Sequence, residues 1–169
     1  MPAETGFPPV ARADARVLIL GSLPGAESLR TRMYYAHPRN AFWRVMGALF
    51  GAGPECPYEE RLRRLQDNGA ALWDVCAAAE RAGSLDAAIV PASIVPNDFV
   101  SFFASHRQIR MVACNGAKAA QLYRRLVVPG LAPPFTALPV SVLPSTSPAH
   151  AAIPFVEKLA RWRQVVGHE

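Results

Sequence analysis

The chain has 169 residues, 51% of them hydrophobic and 18% charged, which suits one domain with a sizeable core and argues against long disordered tracts. Its net charge of +5 favours a polyanionic partner, because neutralising phosphates releases counterions. No apolar run approaches the roughly 18 residues that span a bilayer, and residues 1–10 lack the basic and apolar regions of a secretion signal, so a cytoplasmic protein with no membrane partner is expected. Cys56, Cys76 and Cys114 are odd in number, far apart and free of any C-x-x-C pair. That spacing argues against a disulfide framework and against a zinc or iron–sulfur site, so neither metal nor cofactor is expected.

Residues 1–14 read as a disordered or surface-draped arm ahead of a single domain over 15–169. Residues 16–21 (RVLILG) form a short apolar run ending in glycine, the pattern of a buried strand. A turn at Ser22-Leu23-Pro24-Gly25 follows it. Phe42, Val45, Met46 and Leu49 recur at i, i+3, i+4, i+7 and predict a helix, and Asn40 stands where it could cap that helix. Residues 57–68 read as a charged helix closed by Gly69. A second strand over 70–75 ends on polar Asp74, and 76–91 reads as loop or short helix. A helix starts near Pro96-Asn97, a third strand covers 110–114, and Asn115-Gly116 turns the chain into a helix with Ala119, Leu122, Tyr123 and Leu126 inward. A fourth strand over 139–143 leads through the loop 144–150 to a last helix carrying Phe155, Leu159, Trp162 and Val166 on one face.

Alternating strands and helices predict an α/β fold, a three-layer α/β/α sandwich around a mainly parallel sheet. Such sheets bind ligands beyond the carboxyl ends of their strands. Four segments therefore carry the candidate chemistry. The first joins Gly21, Ser22, Leu23 and Gly25 to Tyr35, His37, Arg39 and Asn40: the turn exposes backbone amides, and Tyr35 offers either a base-stacking surface or a core aromatic. The P-loop pattern is absent. The second is Asp74, suited to accepting from a base edge, to orienting a water, or to capping. The third is Asn115-Gly116 with Lys118: Asn115 could pair with a base or support the loops, and Lys118 could reach a phosphate or act as an amine nucleophile. The fourth is Ser145, Thr146, Ser147, Pro148, Ala149 and His150, whose small hydroxyls and amides suit close approach to a phosphate. No G-x-S-x-G elbow accompanies its Ser-x-x-His pattern, which weakens a hydrolase-triad reading.

Taken in order, Gly21-Ser22-Leu23-Pro24-Gly25, Tyr35-Ala36-His37-Pro38-Arg39-Asn40-Ala41-Phe42-Trp43, Leu72-Trp73-Asp74-Val75, Arg81-Ala82-Gly83-Ser84-Leu85-Asp86, Asn115-Gly116-x-Lys118 and Ser145-Thr146-Ser147-Pro148-Ala149 resemble the uracil-DNA glycosylase superfamily. The resemblance is nearest to its hypoxanthine (deoxyinosine) branch, with the mismatch-specific uracil/thymine glycosylases as neighbours. It implies a central four-stranded parallel sheet, a site at the carboxyl edge without metal or cofactor, and a monomer acting on double-stranded DNA that carries a damaged or mismatched base. The implied activity is hydrolysis of the N-glycosidic bond of a flipped, deaminated base, with hypoxanthine the first expectation on this pattern; the alternatives are G:U/G:T mismatch activity or a damage-binding module that has lost catalysis.

Two departures from the family pattern bear on the chemistry. Leu23 stands where the mismatch-specific branch carries a water-positioning Asn, and Ser145 stands where many relatives carry a His. The resemblance then implies Asn40 as the catalytic, water-holding group, with Ser22 assisting. It implies Tyr35, Asp74, Asn115, Gly21, Leu23 and Gly25 as the base-binding set. Contacts to DNA fall to His37, Arg39, Lys118, Ser145, Thr146, Ser147, Pro148, Ala149 and His150.

Overall fold

The computed structural model describes residues 2–167. Four parallel strands form the central sheet: β2 (Val17–Gly21), β3 (Ala70–Asp74), β6 (Met111–Asn115) and β7 (Val140–Leu143), in the order β3-β2-β6-β7. β1 (Glu4–Thr5), β4 (Cys76–Ala79) and β5 (Val95–Pro96) form a separate small sheet in which β4 pairs antiparallel with both neighbours. The helices are α1 (Ala26–Thr31), α2 (Phe42–Phe50), α3 (Tyr58–Asp67), α4 (Phe99–Ser105), α5 (Ala117–Leu122) and α6 (Phe155–Val166).

Strand alternation divides the core between the two faces of the sheet. Leu18, Leu20, Ala71, Trp73, Val112 and Cys114 point to one face and pack with Phe99, Phe102 and Phe103 of α4 and Ala119, Ala120 and Leu122 of α5. Ile19, Ala70, Leu72 and Ala113 point to the other and pack with Phe42, Val45 and Met46 of α2, Leu65 of α3 and Trp162 and Val166 of α6. The result is the expected three-layer α/β/α sandwich.

Of the two forms expected for residues 1–14, disordered or surface-draped, the segment takes one held against the domain: Phe7 is buried, Glu4 and Thr5 pair with Ala79 and Ala78, and Val10 bridges Leu72. Two local features differ from the sequence reading. The stretch after Asp74, read as loop or helix, is strand β4; its small side chains carry no strand signal, and pairing with β1 and β5 holds it extended. The helix after Gly116 passes into a π-turn over Tyr123–Val127. The extra residue in that turn shifts the face by one, so Leu126, expected inward, is 37% exposed and Val127 is buried.

Because all four central strands are parallel, their carboxyl ends lie along one edge. The chain leaves β2 for β3 on one side and later reaches β6 on the other, so the edge beside β2 is where connections diverge and a crevice opens.

Candidate active site at the carboxyl edge of the sheet

A cavity of about 480 Å³ opens at that edge. It is lined by residues from all four post-strand segments: Gly21, Ser22, Leu23 and Gly25; Asp74; Asn115; and Ser145, Thr146, Ser147, Pro148, Ala149 and His150. Tyr35, His37 and Asn40 join them from the segment ahead of α2. Arg39 is exposed and Lys118 half-buried, and neither lines the cavity.

The floor is built for close approach. A Cβ at Gly21 would stand 2.4 Å from Asp74 Oδ1 and 2.9 Å from the Tyr35 hydroxyl, so only glycine fits there. Asp74 is 4% exposed. Burial, reinforced by the nearby charge of Asp86 and opposed by Arg81, pushes its carboxyl up to about 7. Asp74 Oδ2 and the Tyr35 hydroxyl are both buried and lack a hydrogen-bond partner among the described residues. Buried polar atoms are normally paired, so this pair marks a place where a ligand can complete the bonding.

Tyr35 is held in a left-handed conformation at φ 53°, a strained state for a non-glycine residue. Its ring stacks on Phe42 at 4.1 Å and 24°. One face is therefore occupied, and a base can meet the other face or the hydroxyl edge. Leu23 belongs to the core as well as to the cavity wall.

Asn40 both meets the start of α2 and faces the cavity. Its Oδ1 accepts from the Phe42 amide at 2.9 Å at the start of α2, while the side chain also lines the cavity. One carbonyl lone pair and the amide N–H groups remain for a ligand or water.

The loop after β7 is pinned at several points. Asn115 Nδ2 donates to Thr146 Oγ1 at 2.9 Å and Asn115 Oδ1 accepts from the Thr146 amide at 3.0 Å. The Ala41 amide donates to the Thr146 carbonyl at 3.0 Å, which ties the loop to the start of α2. Ser145 and Ser147 hydroxyls accept from the amides of Ser147 and Ala149 at 3.1 and 3.2 Å. Trp162 Nε1 donates to the Pro144 carbonyl at 2.9 Å, and Lys158 Nζ donates to the His150 carbonyl at 3.0 Å. Gly116, at φ 94°, lets Ser145 approach: a Cβ there would lie 3.1 Å from the Ser145 Cβ.

The structure adds lining residues that the sequence reading did not single out for a role, chiefly Glu27, Ser28, Ser84 and Asp86. Asp86 sits in a short 3-10 turn, Asp86–Ala88, and its Oδ1 accepts from Ser22 Oγ at 2.7 Å. Ser84 Oγ accepts from the Ala26 amide at 3.0 Å. Buried Arg81 donates to the Gly83 carbonyl at 3.1 Å and to the Pro24 carbonyl, and pairs with Glu4 at 3.0 Å. The stretch 81–86 carries part of the family resemblance, but nothing local in it shows that it folds onto a turn some 60 residues earlier in the chain.

The chain is similar to known proteins in sequence and in fold. A family profile described as Uracil DNA glycosylase superfamily matches residues 8–164. Two curated relatives described as Hypoxanthine DNA glycosylase are similar: one from Methanosarcina acetivorans, 40% identical over 119 residues, and one from Methanosarcina barkeri, 39% identical over the same length. Each match covers 70% of this chain and 74% of the relative. A solution NMR structure of a candidate uracil DNA glycosylase from Methanosarcina acetivorans superposes with a TM-score of 0.79 at 34% identity, covering 98% of this chain and 97% of that one. The chain belongs to the uracil DNA glycosylase superfamily.

Proposed function

We propose that the protein is a monofunctional DNA glycosylase of base excision repair that releases hypoxanthine from deoxyinosine in duplex DNA. The observation that carries this reading is the convergence of the four post-strand segments, with Asn40 and Tyr35, on one cavity beside an unpartnered, proton-retaining carboxyl at Asp74. The volume lies within the range of about 300–1,000 Å³ typical of small-ligand sites. The naming of the relatives as hypoxanthine DNA glycosylases supports the choice of base.

In this reading a mispaired base is extruded at a few kcal/mol of unpairing and enters the cavity. Asp74 carries its proton below about pH 7, so it can donate to an acceptor on the hypoxanthine edge, O6 or N7, and disperse charge as the base departs. Tyr35 packs against the base. Asn40 orients the attacking water toward C1′ as the sugar becomes oxocarbenium-like; an amide contributes by placement, since it does not titrate near neutrality. Asn115, with both ends of its amide engaged by Thr146, acts through the loop it holds. That loop, with His37 at the cavity and the exposed Arg39, contacts the DNA backbone.

Among the described residues, none of those lining the cavity is a lysine. A Schiff base needs an amine at the reacting carbon, which supports simple hydrolysis to a free base and an abasic site without strand scission. We propose that the enzyme acts as a monomer. The test is a panel of duplexes containing hypoxanthine opposite thymine, xanthine opposite cytosine, and uracil or thymine opposite guanine, each treated with protein and then alkali. Hypoxanthine duplexes should be cut only after alkali. Preferential cutting at uracil or thymine would shift the substrate to the mismatch class, and lesion-selective binding without cutting would leave a damage-binding module.

A further inference from the structure

An attacking water donates its protons to acceptors while its lone pair faces C1′, and the site must supply those acceptors. Leu23 offers none and is packed in the core. Asn40 Oδ1 accepts from the Phe42 amide and keeps one lone pair, enough for only one of the water's two protons. Among the described residues, three acidic side chains line the cavity: Glu27, Asp74 and Asp86. Glu27 is held in an ion pair by Arg30 of its own helix. Asp74 lies buried at the floor.

Asp86 differs from both. It is half-buried, and the 2.7 Å bond from Ser22 Oγ engages one oxygen and orients the other. The chain just ahead of it is clamped to the segment after β2: Ser84 accepts from the Ala26 amide, and Arg81 donates to the Pro24 carbonyl. Its charge reaches Asp74, where it helps raise that carboxyl. The unpartnered Asp74 Oδ2 marks the same cavity as a place for a ligand.

We infer that Asp86, held by Ser22, is a second catalytic group of this site, accepting a proton from the attacking water that Asn40 orients. The inference rests on the glycosylase reading above. The C1′–N9 bond breaks with its electron pair leaving on the purine, and the water oxygen bonds to C1′. One water proton passes to Asp86 and is returned to solvent, and the departing purine takes up a proton. Atoms and charge balance without any co-reactant.

The test is single-turnover release of hypoxanthine from a duplex, with enzyme in excess, comparing wild type and Asp86→Asn. Asn retains an oxygen to accept from Ser22, so the turn keeps its anchor while the carboxylate is lost. Asp86→Asn is expected to be about 100-fold slower, with duplex affinity and melting temperature unchanged. A rate within about threefold of wild type overturns the inference. In Asp86→Gly, added formate should restore turnover; no restoration also overturns it. Release by wild type in the same assay separates this outcome from failure of the glycosylase reading, in which no variant or parent releases base.

Discussion

Asn115 and Thr146 hold each other by two reciprocal hydrogen bonds, 2.9 Å from Asn115 Nδ2 to Thr146 Oγ1 and 3.0 Å from the Thr146 amide to Asn115 Oδ1. Both residues are buried. The pair joins the end of β6 to the loop after β7, and that loop also binds the start of α2 through Ala41. Removing either member leaves buried polar atoms without partners. Asn115→Ala should lower stability by about 1–3 kcal/mol, measured by urea denaturation. It should also slow base release more than it weakens duplex binding.

Gly21→Ala tests the floor. The added methyl meets Asp74 Oδ1 at 2.4 Å and the Tyr35 hydroxyl at 2.9 Å. Backbone conformation is not the obstacle; space is. The variant should fold, as judged by circular dichroism, and release hypoxanthine at least about tenfold more slowly, a difference of roughly 1.4 kcal/mol in barrier. Activity equal to wild type would place the bound base away from Asp74.

Asp74 gives the protein a pH signature. The folded protein holds this proton up to about pH 7, against 3.8 for an ordinary Asp. Between those values it binds more protons than the unfolded chain. The stabilising contribution of the protonated carboxyl is complete below about pH 4 and is lost as pH rises through 7. Asp74→Asn should therefore gain stability relative to wild type at pH 8, on the order of 1–4 kcal/mol, and show no such gain at pH 4. Base release by wild type should fall as pH rises past 7, and Asp74→Asn should lose that limb of the profile.

Lys158 tests how the loop is held from behind. It is 4% exposed, donates to the His150 carbonyl at 3.0 Å, and burial beside Arg44 lowers its pKa. Lys158→Met keeps most of the stem and removes the donor. Duplex affinity should fall several-fold while the rate of base release from saturated enzyme changes little, as read from single-turnover rates at rising enzyme concentration.

Much of this arrangement was legible in the sequence because its signals are local. The apolar runs 16–21, 70–75, 110–114 and 139–143 mark strands, and Gly21, Asp74, Asn115 and Ser145, at or just beyond their ends, line the cavity. What was not legible depends on distant partners. Strand β4 is a Cys-Ala-Ala-Ala run that exists because β1 and β5 flank it. Leu126 turns outward because a π-turn inserts a residue that periodicity does not register. Asp86 reads as an ordinary loop acid until the fold brings it to Ser22 across 64 positions. Asn40 was ambiguous between cap and catalyst for a physical reason: its carbonyl caps α2 while the same side chain faces the cavity.

The central claim is that this cavity hydrolyses the glycosidic bond of a flipped base with Asn40 placing the water. Wild type and Asn40→Ala should be compared in single-turnover reactions on a hypoxanthine duplex, with duplex affinity measured alongside. Wild type should convert the lesion to an alkali-labile abasic site, and Asn40→Ala should bind the duplex with similar affinity and release essentially no base. Undiminished release by Asn40→Ala, or no abasic site from wild type, would contradict the account.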